Sequence, residues 1–403
     1  MNTSLFAAVQ IIMKKKKRQA NKINMTIPIA IAIIIVTALI IFFINNIKYN
    51  KYSTGMTGAT TDYEIGKVLE VTEESLQDSE HQKGIPVGTQ VLKTELLTGE
   101  HKGATVTVTN SLSTYNSVVA KAGQKLVVIV DALDSGEYQV RVYNYYRTPY
   151  IFLMGLLFFV ALILVGGKKG ALSGFSLIYT MVCVFLVFLP LVVRGFSPVW
   201  AAIGLVVMVT AATMLFIHGP GPKSLCAILG TSCGVVLSGI ILYLFGEMMH
   251  ISGYHTEEAE SLLLIGQTTG LKVKDLLFSG ILISALGAVM DTAISIVSAI
   301  NEIHKNLPGL KTAALFQTGM NVGKDMIGTM SNTLILVFTG TALNLIILLY
   351  SYSIQYNQLL NMNMIAIEIA QALSGSLGLI LTVPLTAVIT ANILVRQGRQ
   401  SRQ

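Results

Sequence analysis

ISALGAVMDTAISIVSAI, residues 283–300, decides how the rest of this chain is read. The stretch belongs to an apolar run from Leu276 to Ile300, and at about 1.5 Å per residue such a run crosses the hydrocarbon of a bilayer. Yet a carboxylate, Asp291, stands in its middle. A charge at the centre of a span costs about 2.5–3.5 kcal/mol on insertion scales. Starting from Gly280, the small and polar positions Ser284, Gly287, Asp291, Ser295 and Ser298 recur at steps of three or four, which is one stripe along a helix. Two readings stand. In the first, Gly280, Ser284 and Gly287 let helices approach closely, and Asp291 is hydrogen-bonded across the interface. In the second, Asp291 and Ser295 line a water-accessible path for an ion or proton.

The composition agrees with a membrane chain. Only 12% of the 403 residues are charged, against about a quarter in soluble domains, and the charges cluster outside the apolar runs. The net charge of +7 is read as topology, since cytoplasmic loops carry excess Lys and Arg, and not as a nucleic-acid surface. Cys183, Cys226 and Cys233 lie in apolar runs without metal-ligand company and imply no disulfide framework.

Residues 1–25 are a basic N-terminus containing MKKKKR, followed by an apolar anchor over 26–45. The run is longer than a usual signal core and no A-x-A site follows it, so it reads as uncleaved with its N-terminus inside. Residues 46–148 change character and hold twelve of the 21 acids. YEIGKVLEVT, GTQVLKTEL, GATVTVTN, KLVVIVD and YQVRVYN read as five strands with turn chemistry between them. They predict a small closed barrel, OB-like by strand count, on the extracytoplasmic side.

Seven further spans follow over 149–395, near 150–166, 171–193, 198–217, 224–246, 275–299, 326–350 and 365–394, with a tail at 396–403. The expected fold is therefore a helical membrane bundle of about eight spans with both termini cytoplasmic. Fifteen basic residues fall on the predicted inside and three (Arg194, Lys272 and Lys274) in the short outside loops, as that orientation requires.

Two other spans carry polar groups. GKDMIGTMSNTLILVFTG, 323–340, places Asp325, Thr329 and Asn332 on one helix face, with Asp325 near the expected N-terminus as a cap or an inner gate. By helical rise Asn332 and Asp291 lie at comparable depth, within reach of one another. In the last span Glu368, Gln371, Gly375 and Gly378 are spaced three, four and three, ahead of Pro384. Glu368 is an interfacial charge or the outer acid of a polar path. The outer loop EMMHISGYHTEEAES, 247–261, holds metal-ligand types at a spacing that fits no closed site and reads as solvated. No Walker A, HExxH or G-x-S-x-G motif is present, so neither an enzyme nor a cofactor or metal is expected.

ALGAVMDTAISIVSAINEI (285–303), GMNVGKDMIGTMSNTLILVFTG (319–340), the stretch from Glu368 through GSLGLILTVPLTA to Ala387, and TGEHKGATVTVTN (98–110) resemble the YibE/F family. The resemblance implies a bacterial multi-pass membrane protein with an extracytoplasmic β segment. It also implies assembly in the bilayer with a paired family member or as a homo-oligomer. Relatives with two adjacent acids differ from this chain, which has Met290 before Asp291. Relatives with Arg and His near Lys324 and Met326 differ likewise. The functional expectation is a permease or transport subunit for an ion or small solute, without an ATPase of its own. The alternative is a membrane scaffold or sensor whose outer domain binds an envelope component or partner protein.

Overall fold

The computed structural model describes residues 28–47, 61–79, 82–115, 117–132, 138–256, 258–352 and 354–400. The basic cluster at 14–22 and the last residues of the tail lie outside them. The chain divides into two compact units, Ser53–Ala161 on one hand and Met1–Tyr52 with Leu162–Gln403 on the other.

The smaller unit contains five antiparallel strands, β1 (Thr61–Ser79), β2 (Gln82–Leu96), β3 (Thr105–Leu112), β4 (Lys125–Ala132) and β5 (Tyr138–Tyr145), in the order β3-β2-β1-β4-β5. β1 serves both halves: Thr61–Lys67 pairs with β4, and the stretch from Gly66 onward pairs with β2. Gly66 lies where the halves share the strand, and a side chain there would press on Thr94 and Val128. Val68, Leu92 and Leu126 form the buried core with Val118 and Ala120 of the following loop. Gln90, fully buried, ties that loop to the sheet. Its amide donates to the Ala120 carbonyl at 3.1 Å and to Glu74 at 2.7 Å, and its oxygen accepts from Ala120 N–H at 2.9 Å and from Asn110 at 3.2 Å. The five expected strands are present, but the expected closure is not. The sheet curls into a half-barrel whose eight-residue edges, β3 and β5, form no ladder among the described residues. Thr107, Thr109 and Ser111 face Tyr138, Gln139 and Arg141 across a cleft of about 590 Å³.

The larger unit is helical: α1 (Pro28–Asn46), α2 (Thr148–Cys183), a π turn at Val184–Phe188, α3 (Leu189–Val193), α4 (Pro198–His218), α5 (Pro222–Met248), α6 (Ala259–Thr269), α7 (Leu276–Asn306), α8 (Thr312–Thr341), α9 (Leu343–Ser351), α10 (Tyr356–Leu360) and α11 (Asn363–Gln400), with the first part of α2 in the smaller unit. Six helices among the described residues are long and apolar enough to cross a membrane, or seven if α8 and α9 form one span. Two features separate this from the expected eight. Residues 148–193 form one 46-residue helical run, far longer than the roughly 20 residues a bilayer needs. Its helical geometry fails at Gly167 (φ 53°, ψ −135°), and the Leu162 carbonyl comes so close to Gly170 that a side chain there would collide with it. The expected span 326–350 is a helix pair bent by 61°.

α11 is the centre of the bundle, packed on α5, α7 and α8. Its seam with α5 is built from small residues at steps of four. Gly230 lies under Thr386, Gly234 under Thr382, and Gly378 against Ser238, whose hydroxyl donates to the Ser374 carbonyl at 2.9 Å. On α8, Gly319 abuts Ile300 and Ala387, and Gly323 abuts Val383. Backbones approach closely because these positions carry no side chain, which is how helices gain van der Waals contact where lipid tails are as apolar as leucine. Gly234→Leu is therefore expected to lower the thermal midpoint in detergent by several degrees, an overpacking cost of about 1–3 kcal/mol or more. Gly340→Leu, at a glycine facing open space, leaves the midpoint nearly unchanged. Equal midpoints for the two variants would contradict the seam.

Candidate functional site

The stripe on α7 lies on the outer face of the bundle. Gly280, Ser284, Gly287 and Asp291 are exposed and Ser295 is half-buried, while Ala285, Val289, Thr292, Ala293 and Ile296 face inward. The Ser284 hydroxyl donates to its own helix, at the Ile281 carbonyl. No side chain reaches the Asp291 carboxylate among the described residues. A side chain at Gly280 or Gly287 would meet nothing within 4 Å, so these positions are open within a single chain.

The polar residues of α8 also face outward. Asp325, Thr329 and Asn332 are exposed, with Gly323, Leu334 and Phe338 turned into the bundle. Asp325 is not at a helix start. α8 begins at Thr312, so Asp325 lies about 20 Å along it by helical rise, and the capping reading fails because the helix extends well beyond its apolar part. The depth comparison shifts for the same reason. α7 runs on to Asn306, and Ile300 packs on Gly319. Counting equal steps from that contact along two antiparallel helices brings Asp291 level with about Gly328, and Asn332 roughly one turn beyond it. No hydrogen bond joins Asp291 to Asn332 among the described residues.

The polar face of α11 turns the other way. Glu368 and Gln371 are half-buried, and Gly375 and Gly378 are buried. The face continues inward through Thr382, Thr386 and Thr390, all fully buried. The Thr382 hydroxyl donates to the Gly378 carbonyl at 2.7 Å, whereas the Thr386 hydroxyl has no hydrogen-bond partner among the described residues. Thr210, Thr231 and Thr292 are likewise buried and unpaired among the described residues. These hydroxyls were missed in the sequence, although Gly378, Thr382, Thr386 and Thr390 extend the Glu368 stripe at steps of four. The bundle thus separates its polar groups, with neutral hydroxyls inside and the carboxylate and amide of α7 and α8 outside.

The loop over 247–261 holds no group of three metal-ligating side chains among the described residues. Its His255 accepts from the Ser252 N–H at 3.2 Å, Glu247 pairs with Lys274 at 3.2 Å, and Glu257 lies outside the described residues. Of the three cysteines, Cys183 and Cys226 are buried and Cys233 is exposed.

One acid in the smaller unit is shifted upward. Glu64 is 4% exposed and its Oε2 has no hydrogen-bond partner among the described residues. Burial raises its pKa, with His101 pulling the other way. The folded state then holds a proton that the unfolded state has released, so this group makes stability fall as pH rises through and above the ordinary carboxylate range. Glu64→Gln is expected to raise the unfolding midpoint at neutral pH, with the gain vanishing in acid. A gain independent of pH would rule out this origin. On the bundle, Asp291 in detergent-dispersed protein is expected to react with an apolar carbodiimide, and Asp291→Asn to abolish that adduct in a peptide map.

Comparison with known families reports what this geometry alone does not. A family model described as YibE/F-like protein matches residues 154–396, and one described as YibE/F family N-terminal domain matches residues 59–145. No curated protein and no solved structure matches the chain.

Proposed function

This chain belongs to the YibE/F family, and from that premise we propose that it is a cell-membrane permease or transport subunit for an ion or small solute. The observation that carries the proposal is the outward placement of Asp291 with Asp325, Thr329 and Asn332 on α7 and α8. A lipid-facing carboxylate is costly and marks a position where it works. In this reading Asp291 takes up the ion or proton, Thr329 and Asn332 offer oxygen and amide partners near its depth, and Asp325 lies about one turn away on the same face of α8 as Thr329. A second subunit, a copy of this chain or a family member, completes the path on the open side. Glu368 and Gln371 are polar positions toward the other end. Gly167 divides the long helical run into two spans and α8 with α9 supplies a bent one, which brings the count to eight with both termini cytoplasmic. The β unit then lies outside the cytoplasm, and its strand order supports an OB-like topology. No catalytic chemistry or cofactor is assigned.

Flux tests the proposal. Purified protein in liposomes, assayed with pH-sensitive dye and a panel of metal ions and small solutes, is expected to carry a current of one of them. Asp291→Asn, which keeps the shape and removes the charge, is expected to reduce that flux at least tenfold while the protein still assembles. Retained flux in Asp291→Asn removes the carboxylate from the path. A second reading is a scaffold or sensor, favoured by the open cleft between β3 and β5. Absence of flux, together with a ligand that protects the β3 and β5 amides from hydrogen exchange, would select it.

A further inference from the structure

A threonine inside a helix has a ready partner, the carbonyl one turn back on its own helix. Thr180 donates to the Ser176 carbonyl at 2.9 Å, Thr339 to the Ile335 carbonyl at 2.7 Å and Thr382 to the Gly378 carbonyl at 2.7 Å. Four threonines do not use it. Thr210 of α4, Thr231 of α5, Thr292 of α7 and Thr386 of α11 are each 0% exposed, and their hydroxyls have no hydrogen-bond partner among the described residues. The packing register places all four at one level of the bundle. On one side of that level, Val206 of α4, Val235 of α5, Val289 of α7 and Leu379 of α11 belong to one core cluster. On the other side, Met214 of α4, Ala227 of α5 and Val297 of α7 form a second cluster, with Ile393 of α11 packed against it. Thr210 stands midway between Val206 and Met214, Thr231 midway between Val235 and Ala227, and Thr386 midway between Leu379 and Ile393. Thr386 also abuts Gly230, the neighbour of Thr231, and Thr292 lies between Val289 and Val297. Four helices thus bury a hydroxyl within about one helical turn of height, about 5.4 Å.

The chemistry of this layer selects its ligand. Each hydroxyl can donate one hydrogen bond and accept others. None of the four carries a charge, and Asp291, at the same level on α7, is exposed on the outer face. A bare ion among neutral hydroxyls would keep its charge uncompensated in the interior. An apolar molecule would leave every hydroxyl unpaired. Water both donates and accepts, and a buried water takes two to four such partners. We propose that the layer binds water, shared among the hydroxyls of Thr210, Thr231, Thr292 and Thr386 at the middle of the bundle. α7 then carries a carboxylate outside and a hydrated hydroxyl inside at one depth, in the adjacent residues Asp291 and Thr292. The site stands whether or not the outer face carries flux.

The sign of a stability change tests the assignment. Valine keeps the shape of threonine and lacks the hydroxyl. In a dry layer the exchange removes an unpaired polar group and raises the thermal midpoint, whereas in a hydrated layer it takes a partner from the water and lowers it. Thr210→Val and Thr231→Val, in the full chain in detergent, are each expected to lower the midpoint by about 2–4 °C. The double variant is expected to lose less than the sum, because both changes release the same water. Thr339→Val, on the exposed face of α8, is the control whose effect adds to that of Thr210→Val. Hydroxyl-radical labelling with pulsed X-rays gives a second readout, since radiolysis of a bound water oxidises the side chains beside it. Met214, 1% exposed and one turn from Thr210, is expected to be oxidised in the wild type and less so in Thr231→Val. Thr231→Ser, which keeps the hydroxyl, is expected to retain the label. A higher midpoint in either valine variant, an unlabelled Met214, or equal loss of label in Thr231→Ser and Thr231→Val overturns the proposal. So does a wild-type midpoint that rises when Na⁺ or K⁺ replaces N-methylglucamine and no longer does so in Thr210→Val, which gives the site to a cation.

Discussion

The structure depends on close backbone approach along the seam between α5 and α11. In a bilayer there is no hydrophobic force to push helices together, because the lipid offers the same environment as the neighbouring helix. What remains is contact, and contact requires small residues. Gly230, Gly234 and Gly378 provide it, and Thr382, Thr386 and Ser238 fill the grooves those glycines leave. α7 and α8 then seat on this pair, α8 again through glycines, Gly319 and Gly323. A larger side chain at any of these points displaces a helix and not merely a rotamer.

Because the seam spends its small and hydroxyl residues on the interior, the bundle's more polar groups end up on the opposite surfaces. Asp291 and Asn332 cannot turn inward without dragging Val289 and Leu334 into lipid on the far side of their helices. The same geometry leaves the hydroxyls of Thr210, Thr231, Thr292 and Thr386 unpaired among the described residues, a cost of about 1–3 kcal/mol for each if no water reaches it. The proposed path at α7 and α8 is therefore a surface feature of one tightly closed core, completed from outside by a second subunit.

Much of the fold was legible in the chain. The five strands, the apolar helices and the α7 stripe follow from periodicities of two and 3.6, which are local properties. The half-barrel was not legible, because closure depends on whether β3 and β5 come within pairing distance, and no local pattern encodes that. The length of α8 was misjudged for a related reason. Its first four turns are too polar to read as a span, yet Leu315 and Gly319 bury them against α7 and α11. That misjudgement carried the cap reading of Asp325 and the matched depth of Asp291 and Asn332 with it.

By itself the sequence determined that this is a membrane chain with an inserted β unit, and that Asp291 lies on a continuous small and polar stripe. Hydropathy and helical phase suffice for both, since each depends only on residue order. Only the tertiary structure decided which way each stripe faces. The stripes of α7 and α11 both recur at steps of three or four in sequence, yet one is open and the other is the central seam. The difference lies in what stands opposite. Gly230, Gly234 and Ser238 of α5 present a complementary groove to α11, and no helix among the described residues presents one to Gly280, Gly287 and Asp291.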